Sequence, residues 1–301
     1  MSRVDEALRR AAESAGGLGV QAPGPGVDHL PEEIDRRDGP RRWPGSPEPS
    51  GAPTDKPAPV FAELSVDELG DGLARKVVID REMMPASREQ YRRLAATLHQ
   101  AQSTTGLKVV MVVSAVANEG KTLTAANLAL TFSESYRRKV LLIDGDLRRP
   151  SLDALFKIDA SPGLNEGLTA PVEQMMPLRP ITPRLMVLPA GRATADPIAG
   201  LTGDRMRRLI DEARGAFDWV ILDTPPVGLL PDANLLAAMA DGAVLVVRAD
   251  ATPYQLVERA VDALGKERLL GVVLNCADES EADYYQYNRY YATNPSAVTF
   301  R

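Results

Sequence analysis

The segment Val109–Leu123 reads V-V-M-V-V-S-A-V-A-N-E-G-K-T-L and ends in a glycine, a lysine and a threonine at 120–122. Gly-Lys-Thr at a strand-to-helix turn is phosphate chemistry. Backbone N–H groups at the helix start cradle the phosphates, the lysine reaches the β and γ oxygens, and the hydroxyl ligates Mg²⁺. The generic pattern asks for a glycine five positions before Gly120, and Ala115 stands there instead. Two further segments supply carboxylates: L-L-I-D-G-D-L-R-R delivers Asp144 and Asp146, and W-V-I-L-D-T-P-P delivers Asp223. In an open α/β sheet the ligand lies beyond the carboxyl ends of the strands, which is where these three aspartates fall. Beside a phosphate loop, their chemistry is to hold a hard cation and to handle a proton. Mg²⁺ takes only one or two carboxylates, so not all three need touch metal.

A third chemical feature is phenolic. Of eight tyrosines, Tyr284, Tyr285, Tyr287, Tyr290 and Tyr291 fall within eight residues, behind Asp278, Glu279, Glu281 and Asp283. Buried tyrosines need periodic aliphatic company, which this stretch lacks. It reads as a mobile tail of accessible hydroxyls.

The elements that position these groups follow from periodicity. Continuous β-branched and aliphatic runs at Leu107–Ser114, Val140–Ile143, Leu185–Leu188, Trp219–Leu222, Ala243–Val247 and Val272–Leu274 predict strands. Helical patterns at about 88–102, 122–136, 203–216, 232–240 and 253–268 separate them, the first opening on a Ser87/Gln90 capping pair. Unbroken apolar strands alternating with helices predict a doubly wound α/β domain, its mostly parallel sheet covered on both faces. The expected organisation is a short amphipathic helix within 1–20, a Pro/Gly-rich flexible linker at 21–60, a P-loop domain at 61–278 and the tyrosine tail at 279–301. Ten of the 24 prolines fall between residues 21 and 60, where almost no aliphatic periodicity survives. Such a stretch cannot bury enough apolar surface to offset its ordering entropy.

Composition excludes several classes. Lys and Arg total 35 against 41 Asp and Glu, a formal charge of −6, which argues against a nucleic-acid coat. Two histidines and one cysteine leave little for a zinc site, a disulfide scaffold or an iron–sulfur cluster. Cys276, beside an apolar run, is expected to be a small buried residue. No apolar run approaches the ~18 residues of a membrane span. Arg9-Arg10 is followed by Ala, Glu and Gly rather than by the apolar stretch of a signal peptide. The expectation is a cytoplasmic protein.

Across about 75–291 these residues resemble the bacterial tyrosine kinases (BY-kinases), P-loop autokinases that govern capsule and exopolysaccharide production. The likeness rests on S-A-V-A-N-E-G-K-T, L-L-I-D-G-D-L-R-R-P and V-I-L-D-T-P-P-V followed by Asp232-Ala233. Leu188-Pro189-Ala190-Gly191 with Asp196-Pro197, Gly271–Asn275 and the terminal tyrosine cluster add to it. The resemblance implies an ATP- and Mg²⁺-dependent protein-tyrosine kinase. In it Asn118, Glu119, Gly120, Lys121, Thr122 and Leu123 form the nucleotide loop, with Lys121 on the phosphates. Thr122, Asp144 and Asp223 would hold the metal, and Lys121, Asp144, Asp146 and Asp223 would carry catalysis. Arg148 would neutralise phosphate charge, Asn275 would lie near the adenine, and the five clustered tyrosines would be the acceptors. It further implies a membrane chain-length (polysaccharide co-polymerase) partner as activator, a cognate tyrosine phosphatase, trans phosphorylation in a homo-oligomer, no nucleic acid, and a place at the inner face of the plasma membrane. The family's E-x-x-R-x-x-R assembly motif is incomplete here: Glu89 and Arg92 are present, but Ala95 takes the last position. The alternative is a ParA/MinD-like regulatory ATPase without protein kinase activity. Its relatives carry a lysine early in the loop, where Val116 stands.

Overall fold

The computed structural model describes residues 77–79, 83–172, 176–227 and 231–277. The expected helix within 1–20, the linker and the tyrosine tail lie outside the described residues. Seven strands form one sheet: β1 (Val109–Ser114), β2 (Val140–Asp144), β3 (Arg179–Thr182), β4 (Leu185–Leu188), β5 (Trp219–Asp223), β6 (Gly242–Arg248) and β7 (Leu269–Asn275). Their order is β3-β4-β2-β5-β1-β6-β7, and every pairing is parallel except β3 with β4. The expected doubly wound, mostly parallel sheet is what the chain adopts.

Why the strands read as unbroken apolar runs is visible in the burial. β1, β2 and β5 are buried at every residue. Val110, Val112, Leu142, Ile221, Val244 and Val246 share one core with helices α1 (Pro85–Thr105) and α2 (Lys121–Leu130). Their alternates Met111, Leu141, Ile143, Val220, Leu222 and Leu245 are equally buried and face the other side of the pleat. There α6 (Asp204–Ala216) packs on β5 and α7 (Asp232–Ala237) on β1. Trp219 stacks on Phe132 at 4.2 Å between ring centroids, closing the first core from below.

Several boundaries differ from the sequence reading. Helix α1 starts at Pro85 rather than at the Ser87/Gln90 pair, because proline is preorganised for a first helical position. Gly106 ends it in the left-handed conformation, its N–H donating to the Gln102 carbonyl. Ala95, the residue that breaks the E-x-x-R-x-x-R pattern, is fully buried in the core, so this position has no surface at which to present a charge. Beyond α2 the chain widens into a π-turn at Thr131–Ser135. Short helices α3 (Leu152–Phe156), α4 (Leu164–Thr169) and α5 (Ile198–Thr202) join the larger elements, and α8 (Tyr254–Leu264) connects β6 to β7. Cys276 is exposed, not buried. It follows β7, the sheet's outermost strand, whose Leu270, Val272 and Leu274 are themselves exposed.

Candidate active site

The site forms where the chain leaves β1, β2 and β5. After Ser114, Asn118 at φ 66° and Gly120 at φ 90° turn the backbone into α2. Glycine is needed at 120 on two counts, its positive φ and the space, since a Cβ there would meet Asn275 Nδ2 at 2.1 Å. Glu119 is 1% exposed and turns inward. Its carboxylate accepts from the Val116 N–H at 2.8 Å, from the Arg248 N–H at 3.3 Å and from the Thr252 hydroxyl. Asn275 Nδ2 donates to the Glu119 carbonyl at 2.8 Å. The phosphate loop is thus bound to the ends of β6 and β7 by its own glutamate and by Asn275. Leu123 packs its side chain against the core.

Parallel pairing of β2 with β5 sets Asp144 opposite Asp223, and neither has any exposed surface. Gly145 lets the β2 loop pass close to β5: its N–H donates to the Asp223 carbonyl at 2.7 Å, where a Cβ would crowd that oxygen at 2.8 Å. Lys121 Nζ lies 3.2 Å from Asp146 Oδ2, 3.4 Å from Asp223 Oδ1 and 3.3 Å from Thr122 Oγ1. Asp144 accepts from the backbone N–H groups of Asp146, Ser151 and Leu152. The Ser151 hydroxyl lies 3.2 Å from that of Thr122. Four of the proposed site residues, Lys121, Asp144, Asp146 and Asp223, therefore converge, with Thr122 at their edge.

Their electrostatics follow from burial. Desolvation, then the charge of Asp223, pushes the Asp144 carboxyl up to about 7, against the pull of the Leu152 and Ser151 N–H groups and Lys121. Burial raises Asp223 as well, with Lys121 and Thr122 pulling the other way. Burial disfavours the Lys121 ammonium, but Asp223, Asp146 and Asp144 outweigh it and the lysine holds its proton more tightly than usual. Asp223 Oδ2 is buried and without a hydrogen-bond partner. An unmatched carboxylate oxygen next to a threonine hydroxyl fits a divalent cation held through Thr122, Asp223 and Asp144. Among the described residues no cluster of carboxylate, His or Cys side chains is arranged to hold a metal unaided. Nucleotide phosphates would have to complete the shell.

Arg148, expected to neutralise phosphate charge, is engaged here by protein groups. It grips Asp232 at the start of α7 through Nε at 2.6 Å and Nη2 at 3.3 Å, and Nη1 donates to the Ala195 carbonyl. Asp232 is 1% exposed. The sequence offered Asp232 only as part of a family likeness and gave it no partner. Ser151 was not singled out at all; proline before a helix start is the one signal that marks it.

The comparisons fit this geometry. A family model described as "ParA: NUBPL iron-transfer P-loop NTPase" matches residues 107–291. The chain is 35% identical over 221 residues to the tyrosine-protein kinase YwqD of Bacillus subtilis, covering 72% of this chain and 93% of that one. The chain belongs to the bacterial tyrosine kinases. The chain also matches the succinoglycan biosynthesis transport protein ExoP of Rhizobium meliloti, 31% identical over 223 residues, covering 68% of this chain and 28% of that longer protein. The kinase domain of the Escherichia coli tyrosine kinase ETK superposes with a TM-score of 0.58 at 29% identity, over 64% of this chain and 78% of that domain. As a P-loop NTPase, this member of the tyrosine kinases is built to bind a nucleotide with a divalent metal.

Proposed function

We propose that this chain is an ATP- and Mg²⁺-dependent protein-tyrosine kinase that phosphorylates its own C-terminal cluster, Tyr284, Tyr285, Tyr287, Tyr290 and Tyr291. The observation that supports it most directly is the convergence of Lys121 with three buried aspartates at the mouth of a phosphate loop. A tyrosine oxygen attacks the γ-phosphorus of ATP, the bond to the β-phosphate oxygen breaks, and ADP leaves. A carboxylate of the Asp144/Asp146 pair orients the phenol and takes its proton. Lys121 moves from Asp146 and Asp223 onto the transferring phosphoryl oxygens. When bound, Mg²⁺ at Thr122, Asp144 and Asp223 supplies charge neutralisation of those oxygens. Catalysis of this kind is positioning and electrostatics, so an acceptor delivered by a second subunit suffices.

In this reading the kinase works in trans within a homo-oligomer and regulates exopolysaccharide or capsule production. A membrane chain-length protein activates it and a tyrosine phosphatase reverses it. No described helix is long and apolar enough to cross a membrane. In this reading the partner holds the kinase at the inner face of the membrane. The ParA/MinD-like alternative shares the phosphate loop but has no use for a tyrosine tail. Purified chain incubated with ATP·Mg²⁺ and probed for phosphotyrosine separates the two. A phosphotyrosine signal that is lost in Lys121→Met is expected. ATP turnover with no phosphotyrosine would favour the regulatory ATPase.

A further inference from the structure

Three carboxylates line the site, and the segment that must enter it is itself acidic. Asp278, Glu279, Glu281 and Asp283 put four negative charges in the six residues before Tyr284. Lys121 does not offset them, being engaged by Asp146 and Asp223 here and by the phosphoryl oxygens in the proposed transfer. Arg148 does not either, being held by Asp232. Arg248 stands exposed at the end of β6 beside the phosphate loop; on the loops that follow β2 and β4 the cations left are Arg149 and Arg192. Both are exposed, and neither side chain has a hydrogen-bond or ion-pair partner among the described residues.

Their loops are fixed against the catalytic carboxylates. The Arg149 N–H donates to Asp146 Oδ1 at 3.1 Å, and two residues on the Ser151 N–H donates to Asp144. The loop after β4 is bound to the same turn by the Thr194 N–H on the Leu147 carbonyl at 2.9 Å and by Arg148 on the Ala195 carbonyl. Two acids on the neighbouring loops, Asp196 and Glu166, hold backbone and hydroxyl donors. Asp196 Oδ1 accepts from the Ile198 N–H, and Glu166 accepts from Gly163, from the Ser161 hydroxyl and from the backbone of Arg192.

We infer that Arg149 and Arg192 form an acceptor-docking subsite for the acidic residues preceding the target tyrosine, supplied by the tail of a second copy of this chain. The inference rests on the tyrosine-kinase reading and specifies its substrate as an acidic peptide ending in tyrosine. An extended chain advances ~3.3 Å per residue, so Glu281 and Asp283 fall within ~10 Å of Tyr284 along the backbone. The planar fork of arginine matches a carboxylate in a way that a point charge does not.

The test uses the full chain as enzyme and a labelled peptide of residues 277–292 as acceptor, with binding read by fluorescence anisotropy and transfer by initial rates. Arg149→Glu with Arg192→Glu is expected to raise the peptide KM and Kd about tenfold, the scale of two exposed ion pairs, and more at low salt. The KM for ATP should move less than about twofold, a change too small for a lost phosphate contact worth a charge-assisted hydrogen bond. A peptide with Asp278, Glu279, Glu281 and Asp283 changed to their amides should lose affinity for the wild type and lose nothing more with the double variant. Lysines at those four positions should restore binding to the double variant. Wild-type-like peptide KM and Kd in the double variant would overturn the inference, as would a rise confined to the ATP KM. Arginine-dependent binding with no transfer would instead overturn the kinase reading and leave the docking subsite standing.

Discussion

At the residue scale the decisive feature is one lysine shared by two aspartates. Lys121 holds Asp146 and Asp223 at 3.2 and 3.4 Å in a nearly dry site, where an unpaired charge is far more costly than in water. Lys121→Met is expected to remove nucleotide binding and tyrosine transfer together, as read by a fluorescent ATP analogue and a phosphotyrosine blot; transfer at the wild-type rate would refute the assignment. Asp144 makes a second prediction with a definite sign. Its folded-state proton affinity lies near pH 7, above the ~3.9 of an unfolded aspartate, so ionising it disfavours the fold. Wild-type stability without nucleotide should therefore fall, relative to Asp144→Asn, as pH rises from about 4 through about 7. We expect the variant to gain about 1–3 kcal/mol on the wild type between pH 5 and pH 8, while losing transfer. Urea melts of both proteins in EDTA at the two pH values measure it, and parallel curves would refute it.

At the element scale the phosphate loop owes its shape to strands it does not adjoin in sequence. Glu119 reaches the β6 end at Arg248 and Thr252, and Asn275 reaches back from β7. Glu119→Gln keeps the size of the side chain but replaces one acceptor oxygen with a donor facing other donors. It should cost about 1–3 kcal/mol of stability, the scale of an unsatisfied buried group. It should also weaken nucleotide binding relative to the wild type. Thermal melts and nucleotide titrations of the variant and the wild type decide this; equal affinities would mean that the glutamate does not shape the loop. The Arg148–Asp232 grip does similar work on the other side, binding the turn after β2 to the start of α7.

At the scale of the whole molecule, a sheet-based nucleotide site and a tyrosine-rich end are separable by design. Removing residues 284–291 should abolish most phosphotyrosine while sparing nucleotide binding and ATP hydrolysis. Mass spectrometry of the phosphorylated chain before and after the deletion checks it, and undiminished phosphotyrosine would remove the cluster as acceptor. The described part of the chain starts at Val77, whose neighbour Val78 donates its N–H to Asn127 Oδ1 on α2 at 2.8 Å. Residues 21–60 hold ten prolines and almost no aliphatic periodicity, so truncation of residues 1–60 should leave the melting temperature and nucleotide affinity of the P-loop unit unchanged, as measured by calorimetry with and without nucleotide.

The sequence by itself determined the sheet and the chemistry of its rim. Strands buried on both faces must be written as unbroken apolar runs, and a phosphate loop is a local spacing of Gly, Lys and Thr, so both were legible without contacts. Strand β3 was not legible, because Arg179-Pro180-Ile181-Thr182 has neither alternation nor an apolar run and joins the sheet only as an antiparallel edge. The exposure of Cys276 was equally hidden, since an edge strand and a central one can share the sequence V-V-L. Only the tertiary structure decided how the charges pair. Asp144 meets Asp223 through the register of β2 on β5, 79 residues apart, and Arg148 meets Asp232 across 84. Charge pairing acts through space and leaves no periodicity along the chain, so a reading of spacing finds the charged residues without finding their partners.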